Sequence, residues 1–258
     1  MQRINNLFET KREGILNIYF TAGYPQLEDT VPIIKALDKA GVDLVEIGIP
    51  YSDPLADGPT IQESGMQAIK NGFSIAKMFE QVKEARQHTD MPFILMGYLN
   101  PVLQYGEDKF LQQCKESGVD GLIIPDMPLH EYEEVYQAKL EQTGLGISFL
   151  ISPQTPDDRI RKIDDLSEGF VYMVANSAIT GAKGSISQFQ IDYFERVNRM
   201  DLETPRLIGF GISNHETYST ACQYAPGVII GSAFIRTLGN ANGDLQTSIM
   251  DFVKGIRG

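Results

Sequence analysis

Ala40-Gly41-Val42-Asp43-Leu44-Val45-Glu46-Ile47-Gly48 carries a helix-stopping glycine followed immediately by a strand. The same device returns at Ser117-Gly118-Val119-Asp120, ahead of Gly121 to Ile124, a weak internal repeat. Outward from these two junctions the chain repeats one unit to its end. A short apolar run leads into a turn rich in Gly, Pro and Asp, and then into an amphipathic segment, as parallel β/α architecture requires. Strands are expected at Ile15 to Thr21, Asp43 to Ile47, Phe93 to Met96, Gly121 to Ile124, Gly146 to Ile151, Phe170 to Val174, Arg206 to Ile208 and Gly227 to Ile230. Helical patterns lie between them at Leu27 to Ala40, Ser74 to His88, Glu131 to Glu141, Asp157 to Leu166, Ser187 to Met200 and Leu245 to Ile256. Asp157 and Asn214 each precede a helical pattern and are expected to cap it.

Eight such units predict a single eightfold β/α (TIM) barrel. One domain spans residues 1–258, with an extra helix, Ile4 to Lys11, placed to plug the barrel's bottom. The competing open, doubly wound sheet would carry a Gly-rich dinucleotide turn after an early strand, and here the first strand leads into Thr21-Ala22-Gly23-Tyr24-Pro25 instead.

Composition limits the function classes. The 258 residues carry a formal net charge of -12, which repels a nucleic-acid backbone. No apolar run approaches the roughly 20 residues that span a bilayer, and residues 1–10 contain no apolar leader core. Cys114 and Cys222, without metal-type or C-x-x-C spacing, read as reduced structural residues of a cytoplasmic chain.

Barrel enzymes work at the C-terminal ends of their strands. In Asp43 to Gly48 the period of two turns Val45 and Ile47 toward the helices, and Leu44, Glu46 and Gly48 inward. Glu46 therefore faces the barrel mouth, where burial would raise its pKa toward the range of a proton donor and acceptor. The strands offer it no Lys, and their only Arg, Arg206, lies at the opposite end. Pro50-Tyr51-Ser52-Asp53-Pro54-Leu55-Ala56-Asp57-Gly58-Pro59 follows, longer than a simple connection needs and stiffened by three prolines. Either aspartate in it is as readily a turn residue bonding its own backbone as a functional group.

Three successive strand ends carry glycine turns: Thr180 to Ser185, Gly209-Phe210-Gly211-Ile212-Ser213, and Gly231-Ser232-Ala233 opening a short helix. Such turns let backbone N–H groups cradle phosphate without a cation, and Gly181 and Gly184 suit a hinged lid over 178–188. Without a strand Lys a Schiff-base aldolase lacks its nucleophile. His88, His130 and His215 end no strand, which disfavours a metal-dependent aldolase or hydrolase.

The run from Glu46 to Gln62 closely resembles the signature of the tryptophan synthase alpha chain family. Asn176 to Gly181, Gly209 to Ser213 and Gly231 to Ala233 match that family in order and spacing. The resemblance implies retro-aldol cleavage of indole-3-glycerol phosphate to indole and glyceraldehyde 3-phosphate, with no metal or organic cofactor in this subunit. By this resemblance Glu46 moves protons, and Asp57 accepts the indole N–H and stabilises positive charge on the ring. Tyr172 stands beside Glu46, Thr180 bonds Asp57, and Gly181, Gly211, Gly231 and Ser232 hold phosphate. Tyr19, Met96, Asn100 and Phe210 are pocket walls. It further implies an alpha2beta2 tetramer with a pyridoxal-phosphate beta chain, contacted through Pro50 and Asp53. Asn176 departs from the Arg common at that position, which bears on lid closure and its coupling rather than on the chemistry. Two other readings stand beside it: another phosphate-binding barrel enzyme, and a largely noncatalytic activator of a beta subunit.

Overall fold

The computed structural model describes residues 1–175, 186–209, 211–241 and 244–258. Nine parallel strands are hydrogen-bonded among them: β1 (Ile15–Thr21), β2 (Leu44–Gly48), β3 (Phe93–Met96), β4 (Gly121–Ile123), β5 (Gly146–Ile147), β6 (Leu150–Ile151), β7 (Val171–Val174), β8 (Arg206–Gly209) and β9 (Gly227–Ile230). Their order is β5-β4-β3-β2-β1-β9-β8-β7-β6. Since β5 and β6 lie three residues apart on one stretch of chain, the sheet closes through that stretch. Eight strand positions result, the eightfold barrel expected.

The expected continuous strand Gly146 to Ile151 is thus interrupted. Ser148 N–H still bonds Leu122 O on the β4 side, but Phe149 N–H donates to the Ser167 hydroxyl at 3.3 Å, and Leu150 and Ile151 pair with β7. The helical expectations shift in three places. Leu27–Asp29 forms a separate 3-10 turn before the helix Thr30–Lys39. The segment 129–143 carries a π-helical turn over Tyr132–Tyr136. Asn214 caps its helix by accepting from Thr217 N–H, whereas Asp157 is the first helical residue behind Pro156 and makes no side-chain cap bond. Pro156 itself occupies the N-cap position, with φ of -65° and ψ of 154°, and has no side-chain oxygen with which to cap.

Inside the barrel, Ile15, Leu44, Ile94, Ile123, Phe170, Tyr172, Leu207 and Ile229 form one apolar cluster, contributed by nearly every strand. The N-terminal helix α1 (Gln2–Thr10) closes it from below. Ile4 enters the cluster and Phe8 packs on Phe170 at 6.2 Å between ring centroids. Val45 and Ile47 belong instead to the outer layer shared with the helices, as the period of two requires.

The repeated glycine junction is one structural device used twice. Gly41 and Gly118 adopt φ of +80° and +77°, the left-handed turn that closes a helix with least penalty at glycine. The aspartate two residues later then ties the bottom of the barrel. Asp43 accepts Leu16 N–H at 2.8 Å and pairs with Lys11 and Arg257. Asp120 accepts Phe93 N–H at 2.9 Å and pairs with Arg3 and Arg86. Arg86 also lies 3.6 Å over the Phe93 ring.

Candidate active site

At the opposite end of the barrel the strands present a different set of groups. Glu46, in register with Tyr19 of β1 and Ile94 of β3, is fully buried. Its Oε1 accepts from Nδ2 of Asn17 at 2.5 Å, while Oε2 has no protein partner. Burial penalises the charged form and pushes the carboxyl up to about 8, against a smaller opposing pull from Asn17. A carboxyl in that range exchanges protons in both directions near neutral pH.

Asp57 is half-buried over the mouth. Its backbone N–H bonds Pro54 O at 3.1 Å and its carbonyl accepts from Gln62 Nε2 at 2.9 Å, so the main chain turns there. The side chain does something else: it is hydrogen-bonded to the Tyr98 hydroxyl, while burial raises it to about 6. Tyr98 accepts the Ala56 N–H at 3.1 Å with the same oxygen, which pins the loop to the end of β3. Pro59 opens the helix Pro59–Lys70, where its missing N–H costs nothing.

Two tyrosines fill the space between the carboxyls. Tyr19 and Tyr172 are buried. Burial first, then the charge of Asp57 for Tyr19 and of Glu46 for Tyr172, pushes their hydroxyls well above the usual phenol range. Glycines make room for both rings. A Cβ on Gly48 would fall 2.1 Å from the Tyr19 hydroxyl, and one on Gly209 would fall 2.3 Å from the Tyr172 ring. Any side chain at either place would displace a tyrosine.

Gly231 sits above Tyr19, where a Cβ would lie 3.4 Å from its ring. It precedes the helix Ser232–Gly239, whose free N–H groups and dipole favour an anion. Gly211 has φ of +80° at the end of β8. The tyrosine wall thus links a carboxyl end of the site to an anion-receptive end.

The remaining expected site residues divide. Met96 is half-buried and packs on the interior cluster. Asn100 is exposed and donates to the Tyr51 hydroxyl at 3.2 Å, beside the loop rather than within the mouth. Pro50, expected on the outward face, is instead buried, because it follows β2 directly and anchors the loop's base, while Asp53 is exposed. Thr180, Gly181 and Phe210, together with Asn176 and most of the lid 178–188, lie outside the described residues. Asn17 and Tyr98 were not anticipated. Asn17 was discoverable, since the period of two puts it inward on β1 as a polar residue between Ile15 and Tyr19. Tyr98 had no sequence signal, because it reaches the Asp57 loop across 41 residues of chain.

The chain matches the family described as Tryptophan synthase alpha chain over residues 5–254. The tryptophan synthase alpha chain of Flavobacterium psychrophilum is 52% identical over 256 residues, covering 99% of this chain and 100% of the relative. That of Christiangramia forsetii is 50% identical over 257 residues, covering 100% and 99%. Among solved structures, the tryptophan synthase complex from Pyrococcus furiosus contains a chain with TM-score 0.87 and 36% identity, covering 95% of this chain and 98% of that one. A chain of tryptophan synthase from M. tuberculosis, in an aminoacrylate-bound form, has TM-score 0.85 and 30% identity, covering 99% of both. Among the described residues no helix is long and apolar enough to cross a membrane.

Proposed function

The chain belongs to the tryptophan synthase alpha chain family, and from that premise we propose how its residues divide the work. The enzyme is a carbon–carbon lyase of L-tryptophan biosynthesis that cleaves indole-3-glycerol phosphate to indole and glyceraldehyde 3-phosphate. Glu46 protonates the indole carbon that bears the glycerol chain, and removes the proton of the adjacent hydroxyl as the carbon–carbon bond breaks. The hydroxyl carbon leaves as the aldehyde and the bonding electrons return to the indole ring. Asp57 accepts the indole N–H and holds the positive charge that ring protonation creates, a role suited to a preorganised group in a dry site. Tyr172 packs beside Glu46. Tyr19, Met96 and Phe210 line the ring pocket, and Gly181, Gly211, Gly231 and Ser232 receive the phosphate. Thr180 bonds Asp57 from the lid.

The observation that carries this reading is the buried Glu46 carboxyl, raised to about 8, with no cation among the described residues to neutralise it and one oxygen without a hydrogen-bond partner. Burying such a group unpaired is expensive. A catalytic need accounts for it where a packing need does not.

A pyridoxal-phosphate beta chain is the partner, in an alpha2beta2 tetramer, with the outer face of the Asp57 loop toward it. Support comes from the similar chain in the tryptophan synthase complex from Pyrococcus furiosus, and on this loop Asp53 is exposed and Leu55 is 86% exposed. Residues 1–258 form one domain, and the acidic chain, whose two cysteines are free, works in the cytoplasm. Release of indole from indole-3-glycerol phosphate, measured on wild type and Glu46→Gln with the cognate beta chain present, tests the catalytic assignment. Retained activity in the variant would remove Glu46 from the mechanism, and equal wild-type rates with and without the beta chain would remove the coupling.

A further inference from the structure

We infer that Asn17 is a positioning residue for the lyase reaction, whose amide holds Oε1 of Glu46 and thereby reserves Oε2 as the oxygen that exchanges protons with the substrate. This rests on the reading that Glu46 moves the protons.

The geometry is specific. Asn17 lies on β1 opposite Leu44, fully buried, and its Nδ2 donates to Oε1 of Glu46 at 2.5 Å. Neither its own Oδ1 nor Oε2 of Glu46 has a protein partner. An amide placed there for packing alone would have both ends satisfied, because an unpaired buried polar atom is costly. Here, among the described residues, the only side-chain bond of the amide goes to Glu46, amid an apolar cluster that includes Ile15, Leu44 and Ile94.

One contact serves both protonation states. As a carboxylate, Glu46 accepts the Asn17 N–H on Oε1 and is basic at Oε2. As an acid, it accepts the same N–H on Oε1 as carbonyl oxygen and carries its proton on Oε2. Asn17 need not move between the two steps, so the proton is delivered and collected at one place. Orientation of this kind is worth most when it is set before the reaction.

The titratable groups that feel the charge of Glu46 are Tyr19 from β1 and Tyr172 from β7, and both also feel that of Asp57 in the loop after β2. The inward positions of β3, β8 and β9 supply Ile94, Leu207 and Ile229. No described group besides Asn17 therefore donates to the carboxylate, and removing the amide favours the neutral acid.

Asn17→Leu, which keeps the branched shape but carries no polar atom, and Asn17→Val, smaller and likewise without a donor, test the inference with the cognate beta chain present. Both are expected to lower kcat for indole release by about ten-fold or more, with KM within about two-fold, the signature of an interaction needed at the chemical step. The carboxylic acid stretch of Glu46, followed by infrared difference spectroscopy and assigned by its loss in Glu46→Gln, is expected to titrate about one unit higher in both variants. If Glu46→Gln is inactive while both Asn17 variants keep wild-type kcat and titration, the positioning role is overturned and the Glu46 assignment stands. If Glu46→Gln is active, the underlying reading fails first. Should Asn17→Leu not fold, Asn17→Val alone decides.

Discussion

The second strand carries one carboxyl and the residue just before it another, three positions apart, and they live by opposite rules. Asp43, at the bottom of the barrel, has Lys11, Arg257 and a backbone N–H as partners. Its counterpart Asp120, 2% exposed, has Arg3, Arg86 and the Phe93 N–H. Glu46, fully buried at the mouth, has among the described residues one amide and no cation. Asp120 and Glu46 are both buried but unequally provided, and this separates the two ends by role: charges at the bottom are neutralised and fix the frame, whereas the charge at the mouth is left to be gained and lost. Barrels in general place stability at the N-terminal face and chemistry at the C-terminal face. In this chain the division is visible within the six residues Asp43 to Gly48.

Removing the mouth carboxyl has the largest expected effect on activity and little on folding. Glu46→Gln is expected to lower indole release by about 10²–10⁴-fold, the usual worth of a positioned acid/base group, while its melting temperature stays level or rises, since a neutral amide relieves the burial of charge. Steady-state assay and thermal melting together check this, and a variant that melts much lower would mean the carboxyl belongs to the frame after all. Asp120→Asn should behave in the reverse sense. Leaving Arg86 without its buried partner is expected to destabilise by about 3 kcal/mol, measured by urea unfolding, while kcat of the folded protein stays within about two-fold.

Stability against pH sharpens the same contrast. Burial raises Glu46 from 4.5 to about 8 and Asp57 from 3.8 to about 6. Between the ordinary and the raised value the folded chain keeps a proton that the unfolded chain has released, so stability falls as pH rises through that window. At about 1.4 kcal/mol per unit, the Glu46 contribution amounts to a few kcal/mol, lost from about pH 4.5 to about 8. Urea unfolding between pH 5 and pH 9 is expected to show this decline in wild type, and a much shallower one in Glu46→Gln. Parallel profiles would mean that Glu46 titrates as an ordinary carboxyl.

How far these two ends could be read in advance follows from the range of the interactions. The barrel was legible because its evidence is local: Gly41 and Gly118 stop helices, apolar runs follow, and Glu46 faces inward by a period of two. The bottom aspartates appeared only as a repeated junction, because their partners Arg3, Arg86 and Arg257 come from distant segments that no spacing connects. For the same reason the break between β5 and β6 was invisible, since it depends on Ser167 reaching Phe149 N–H. Asp57 illustrates the limit most clearly. Its backbone is in a turn, as an ordinary loop aspartate's would be, and what takes its side chain out of that class is Tyr98, 41 positions away.

That contact yields the smallest effect and the most direct probe of the loop. The Tyr98 hydroxyl accepts Ala56 N–H and bonds the Asp57 carboxyl, so Tyr98→Phe removes two hydrogen bonds without emptying the volume of the ring. A hydrogen bond of this kind contributes about 1 kcal/mol, and the loop is exposed enough that water replaces part of the loss. We expect kcat/KM for indole-3-glycerol phosphate to fall several-fold while the melting temperature moves by no more than a few degrees. An unchanged kcat/KM would mean that the prolines and the Gln62 contact alone hold Asp57, and that the loop, unlike the strand carrying Glu46, positions its carboxyl through backbone stiffness rather than through a partner.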